Sequence, residues 1–360
     1  MNCLVTQSLD KGELERIVSI GGERLKLFRG PTVTLGLDIG SHNVKAVRLA
    51  KEGASAIRLT GFSVAEVDQN LKNQFEATLS ALAQVIKDFE LKNTRVVTSL
   101  GGHNLVIKQV TFPTTAPKEI ESSLPWEASK YIPLSLDAVE LKYQIKKINK
   151  GEKTSEVLLV AVDKEYFQNH LNLLSRLNMQ PWIIDANPLA LANAFLTFCR
   201  DSGEKNYVLI ELGASTTTIS IFRRGGFFFT RDISLGGKSF TQAMHENYKM
   251  DYSRAEVFKK EGKISFEVIK PVFDQFLLEI RQSLLYYDTR TGHKGFEDII
   301  ITGGTSQIVG LASFLQENLN LPVNYFQPLK NIHLDEQVPL EALEKWESQL
   351  GVAIGLALRS

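Results

Sequence analysis

Cysteine is nearly absent. Cys3 and Cys199 are the only two in 360 residues, at positions that suggest neither a disulfide framework nor metal-ligand spacing, and this fits a reducing compartment. Net charge is absent too. Lys+Arg and Asp+Glu stand at 41 each, which leaves no excess of one sign to draw the chain to nucleic acid or to an anionic membrane. No apolar run approaches the ~20 residues of a membrane span. The first residues carry Asp10, Glu13 and Glu15 and lack the apolar centre of a secretory signal. With 43% apolar and 23% charged residues, the expectation is a soluble, cytoplasmic globular protein, long enough for two domains.

What is present centres on the stretch beginning at Leu35, LGLDIGSHNVKAVRL. An apolar run reaches Asp38, turns at Gly40-Ser41-His42-Asn43 and resumes in alternation, which spells a β-hairpin. Backbone N–H groups at such a tip converge on an anion, and Gly40 allows close approach. Asp38 would stand beside that anion, where a carboxylate holds Mg²⁺ through water. Alone, the pattern is equally an ordinary turn. It recurs, however, at Tyr207–Arg224, YVLIELGASTTTISIFRR, with Glu211, Gly213 and a Ser/Thr tip. A third part, DIIITGGTSQIVGL from Asp298, runs a β-branched strand through Gly303-Gly304 into a helix. Two acidic glycine hairpins followed by strand–GG–helix occur in this order in the actin/Hsp70/sugar-kinase ATPases. The resemblance implies an α/β, two-domain actin-like fold of the duplicated ribonuclease H-like kind, binding ATP between its lobes.

Between these parts the chain reads as a mixed sheet with helices on its faces. Residues 71–89 have helical spacing. Val96-Val97 begins a strand, with Leu105–Val110 as its expected neighbour. Pro117, Glu119 and Glu121 read as a helix start, Pro125 as a kink and Ile132-Pro133 as its end. Leu141–Ile145 and Val157–Val162 read as paired strands across a Lys-rich turn. Together these make a small αββ subdomain, read either as a plain subdomain with a solvated basic turn or as an insert whose apolar, aromatic surface (Trp126, Tyr131) receives a partner peptide. Gly236-Gly237-Lys238 opens a helix whose N-terminus could face a phosphate. Residues 264–287 form a long helix with Phe273, Phe276, Leu277, Ile280, Leu284 and Leu285 near one face. Residues 346–358 read as a buried closing helix.

Several segments are more specific. FPTTAPKEIESSLPWEASKYIPLSLDAVELKY, TRDISLGGKSFTQAM, AEVFKKE, EIRQSLLYY and VAIGLALR resemble the PilM family of actin-like type IV pilus assembly proteins, relatives of the division protein FtsA. The resemblance runs from about Leu35 to Arg359. It implies an extension at 1–33, a first domain at 34–187 holding an inserted subdomain at about 97–163, a second domain at 188–335, and a C-terminal segment at 336–360 packing back on the first. It implies ATP with Mg²⁺ as cofactors. Asp38, Gly40, Ser41, His42, Asn43 and Lys45 match the first phosphate hairpin, and Glu211, Gly213, Ala214, Ser215 and Thr216 the second. Gly236, Gly237 and Lys238 match a glycine pair beside phosphates or ribose, Glu256 and Lys259 polar groups near ribose and adenine, and Gly303, Gly304 and Thr305 the adenosine motif. Lys45 also reads as a solvated strand residue and His42 as a plain turn residue.

The implied partner is the N-terminal cytoplasmic tail of the inner-membrane protein PilN, and through it PilO, PilP and the pilus motor ATPases. The implied place is the cytoplasmic face of the inner membrane. Two departures weaken turnover more than binding. The second hairpin has Glu211 where relatives carry Asp, which shifts a carboxylate meant for a near-octahedral Mg²⁺ site. The water-orienting position before Pro188 is Asn187, which cannot accept a proton, and Asp185 is two residues off. The expectation is ATP binding with weak or absent hydrolysis. A small-molecule kinase and an FtsA-like polymer are the alternatives.

Overall fold

The alternation in the first hairpin sets its register. In the computed structural model, which describes residues 32–52, 56–198, 206–223, 228–292 and 295–359, β1 (Thr32–Ile39) pairs with β2 (Asn43–Glu52) so that Asp38 faces Lys45 and Ile39 faces Val44. The expected extension at 1–33 lies almost wholly outside the described residues. With β3 (Ala56–Glu66), β4 (Arg95–Leu100), β8 (Ile183–Ala186) and β14 (His333–Leu334), the hairpin forms a six-stranded sheet of order β14-β3-β2-β1-β4-β8. Because side chains alternate across a strand, Leu35, Leu37, Val44 and Ala46 share one face. There they pack on Ala77, Ala81, Leu82 and Val85 of helix α1 (Gln74–Ile86). Asn73 caps α1 by accepting the N–H groups of Phe75 and Glu76.

The second lobe repeats the design. Strands β9 (Asn206–Leu212), β10 (Thr217–Arg223), β11 (Phe228–Ile233), β12 (Ile299–Thr302) and β13 (Val323–Tyr325) form a five-stranded sheet of order β11-β10-β9-β12-β13. Two helices, α5 (Gly237–Tyr248) and α6 (Tyr252–Lys260), follow β11, and the long α7 (Phe266–Thr291) buries Phe273, Phe276, Ile280, Leu284 and Tyr287 on the sheet. Leu285 departs from the expected stripe. It is 68% exposed, because one step from Leu284 turns about 100° around the helix.

The insert is a three-stranded sheet of order β5-β7-β6, built from β5 (Leu105–Phe112), β6 (Val139–Asn149) and β7 (Thr154–Asp163). Helix α2 (Pro117–Ser129) covers one face with Ile120, Leu124 and Ala128. Pro117 occupies the first turn, where no N–H is required, and Pro125 is carried within the helix. The insert therefore begins at residue 105 and not at 97. Val97 pairs with β1 and β8 in the large sheet, and β5 is not its neighbour.

Two helices lie between the sheets, α4 (Asn187–Phe198) and the closing helix α10 (Gly351–Ala357). Most of their residues are apolar and buried, as in helices enclosed by a core, and one core cluster joins them to β2, β4 and β8 on one side and to Tyr207, Leu209 and Ile300 on the other. A boundary at residues 187/188 thus falls at the start of a helix shared by both lobes. The backbones touch closely: a Cβ on Gly355 would lie 1.9 Å from the Ala190 carbonyl oxygen, and one on Gly36 2.0 Å from that of Ala353. The expected single helix at 346–358 is instead α9 (Leu340–Trp346), a 3₁₀ turn at Glu347–Gln349 and α10.

Candidate functional site: a cleft between two hairpins

The two hairpins have the same internal geometry. In each, the glycine after the acidic strand closes the tip, Gly40 N–H onto the Asn43 carbonyl at 3.1 Å and Gly213 N–H onto the Thr216 carbonyl at 3.0 Å. The tips meet across the lobes, with the Ser41 and Ser215 hydroxyl oxygens 3.3 Å apart. Behind the first tip, Lys45 Nζ donates to Asp38 Oδ2 at 2.5 Å; Asp38 is buried and Lys45 largely so. Lys45 therefore points into the cleft and is not a solvated strand residue. Behind the second tip, burial, then the neighbouring charge of Asp38, pushes the Glu211 carboxyl up to about 8, while Lys45 opposes the rise. Near neutral pH the Glu211 carboxyl of the free cleft therefore favours its protonated form, beside the lysine-paired Asp38.

The glycine and threonine motifs brace the second tip. Gly237 and Lys238 donate their N–H groups to the carbonyls of Gly213 and Ala214 at 3.0 and 2.8 Å. The start of α5 thus spends two of its free donors on the hairpin and does not offer them to a phosphate, which corrects the sequence expectation. Thr305 Oγ1 donates to the Gly213 carbonyl at 2.8 Å. Gly303, at φ +90°, could not carry a side chain, since a Cβ would stand 2.4 Å from the Leu212 carbonyl oxygen. Glu256 and Lys259, one turn apart on α6, form an ion pair of 2.6 Å. Lys259 also donates to Thr241 Oγ1 at 2.8 Å and to the Gly237 carbonyl at 3.0 Å. His42 turns away from the tip, with Nε2 2.9 Å from Glu66 Oε1, and the same oxygen accepts Lys260 Nζ from the opposite lobe at 2.8 Å.

Two expected residues stand apart. Asp185 is 3% exposed. Its Oδ1 accepts the Ala186 N–H, and its Oδ2 accepts Arg359 Nε at 2.5 Å. With both oxygens engaged in the interior, Asp185 is not open to orient a water. Asn187 packs on Gly101. No group of three or more metal-ligating side chains occurs among the described residues. Mg²⁺, which is normally held by one or two carboxylates together with substrate phosphates, fits Asp38 and Glu211 on those terms.

The family profile of type IV pilus assembly protein PilM matches residues 36–360. The chain belongs to the PilM family. It is similar to the solved PilM–PilN type IV pilus biogenesis complex, with 24% identity, a TM-score of 0.81, and coverage of 91% of this chain and 98% of that one. It is also similar to cell division protein FtsA of Neisseria meningitidis, at 22% identity over 356 residues, covering 84% of this chain and 85% of FtsA. The ethanolamine utilization protein EutJ of Carboxydothermus hydrogenoformans shares the fold at a TM-score of 0.52 and 14% identity. Among the described residues no helix is long and apolar enough to cross a membrane.

This PilM-family cleft also contains groups that sequence motifs did not reveal. Glu211, Thr218 and Asp232 stand in one cross-strand row over β9, β10 and β11. Thr218 Oγ1 donates to Asp232 Oδ1 at 2.5 Å, and burial raises the Asp232 carboxyl. Tyr166, from helix α3 (Lys164–Ser175), donates its hydroxyl to the Gly101 carbonyl at 3.3 Å and lies within reach of the charges of Asp38 and Asp232. Gln349 accepts Asn43 Nδ2 at 3.0 Å and borders Gly304. The alternation of β10 and β11 could have placed Thr218 and Asp232 in one row. Nothing local marks Tyr166 or Gln349.

Proposed function

We propose that this PilM-family protein is an ATP-binding assembly component whose cleft holds Mg·ATP and whose insert docks the N-terminal cytoplasmic tail of a PilN-like inner-membrane protein. The observation that carries the reading is the meeting of two acidic glycine hairpins tip to tip, backed by Lys45, Lys259 and the Gly303-Gly304 turn. In it, Ser41, Gly213 and Ser215 border the phosphates, Lys45 moves from Asp38 onto phosphate charge, and Glu256, Lys259, Gly304 and Thr305 border the nucleoside. Asp38 and Glu211 are the carboxylates that would hold Mg²⁺ through water, where the ion would supply neutralisation of phosphate charge.

The insert supplies the docking surface, with Trp126 71% exposed and Tyr131 and Leu134 also open to solvent. Exposed aromatic and apolar side chains in one short segment are the anchors that peptide recognition uses. Nucleotide and tail then bind with coupled affinities, and the docked assembly connects to PilO, PilP and the motors at the inner membrane. Turnover is weak or absent, because both Asp185 oxygens are engaged in the interior and Asn187 cannot accept a proton. Calorimetric titration of Mg·ATP tests the reading. It requires one bound nucleotide per chain and at least a tenfold loss of affinity in Asp38→Ala. Unchanged affinity in that variant would refute it.

A further inference from the structure

The insert and the second lobe meet edge to edge. Strand β11 is the outer strand of the five-stranded sheet and β5 is an outer strand of the insert sheet. The two lie against each other without forming a ladder. The junction is made by side chains. Gln109 on β5, 8% exposed, accepts the backbone N–H of Phe228 at 3.0 Å with its amide oxygen and donates its amide nitrogen to Glu156 Oε2 on β7, also at 3.0 Å. Just beyond the other end of β11, Ser234 Oγ stands 2.9 Å from His103 Nε2, in the loop that leads into β5.

Strand β11 has a second role. Its Asp232 faces the cleft in the same row as Glu211, so one short strand touches both the candidate nucleotide site and the insert. A continuous β-ladder there would fuse the two bodies. A free edge N–H met by one glutamine amide gives a contact that forms or breaks as a unit, since an edge donor must find a partner or face water.

We propose that the β5–β11 seam is the joint through which the nucleotide cleft sets the orientation of the insert, and that Gln109 is its positioning residue. The inference rests on the reading of the cleft as an ATP site and of the insert as a peptide-docking site. Closure of the cleft on nucleotide moves the β9–β10–β11 row as one body. The Gln109 amide carries that movement to Glu156 in the central strand of the insert, and the His103–Ser234 contact keeps the far end aligned.

The test uses the full-length protein and a synthetic peptide of a PilN-like N-terminal tail. Tail affinity is measured by calorimetry with and without a saturating non-hydrolysable Mg·ATP analogue, for wild type, Gln109→Leu and Ser234→Ala. Ser234 is exposed, so its variant keeps the test valid if Gln109→Leu folds poorly. The expected result is that the ratio of tail affinities with and without nucleotide moves toward one in both variants, by about 2- to 10-fold for loss of a hydrogen bond, with the affinity for the analogue alone unchanged. Variants that keep the wild-type ratio within twofold would overturn the seam. A wild-type ratio of one, with both ligands bound, would overturn it while leaving both sites standing. Failure of the wild type to bind either ligand would overturn it together with the reading beneath it.

Discussion

Thr98 has one hydroxyl proton, and it goes to the Leu37 carbonyl at 3.0 Å. The same oxygen lies 3.2 Å from His170 Nε2, so that nitrogen carries a proton and donates it. Burial lowers His170 to about 4, so the ring is neutral at ordinary pH and pins, through Thr98, the strand residue before Asp38. A histidine buried neutral must charge on unfolding in mild acid. Its contribution is full above the unfolded value near 6.5 and is lost as pH falls toward 4, up to about 3 kcal/mol. Urea unfolding at a series of pH values should therefore show that His170→Gln loses less stability than wild type between pH 6.5 and 4. Arg359 supports a second prediction. It is the buried partner of Asp185, and Arg359→Met leaves that carboxylate uncompensated, at a cost of about 3–5 kcal/mol. Denaturant midpoints will show it.

At the scale of elements, the helices between the sheets are held by backbone-to-backbone contact. Gly355 meets the Ala190 carbonyl with no room for a methyl group. Gly355→Ala should push α10 off α4, destabilising by about 1–3 kcal/mol and lowering the melting temperature. The two hairpins and the helix start at Gly237 were legible in the sequence, because acidic residue, glycine and tip lie within a few neighbouring positions. The glycine pair was legible as a motif but not in its role, since its N–H partners lie on another element. Strands β4 and β5 read as neighbours because they follow one another in the chain and β5 alternates, yet alternation does not say which strand pairs with which, and they belong to different sheets. Arg359, Gln349 and Tyr166 reach the cleft or its supports from distant parts of the chain, so no local pattern announces them.

For the whole molecule, the lobes are joined at several places around one cleft. These are Ser41–Ser215 at the centre, Asn43–Gln349 beside the Gly304 turn, His103–Ser234 toward the insert, and Glu66–Lys260 at the mouth. The last pair is exposed and screened by salt, so it is worth at most about 1 kcal/mol. Lys260→Ala should speed release of a fluorescent ATP analogue about two- to fivefold in stopped-flow chase experiments, with the effect fading at high salt. The most direct test of the account is a crystal structure grown with excess Mg·ATP. The triphosphate should lie between the tips at Gly40–Asn43 and Gly213–Thr216, with Lys45 on phosphate and the nucleoside against Gly304 and Lys259. An empty cleft, or a nucleotide bound elsewhere on the molecule, would contradict it.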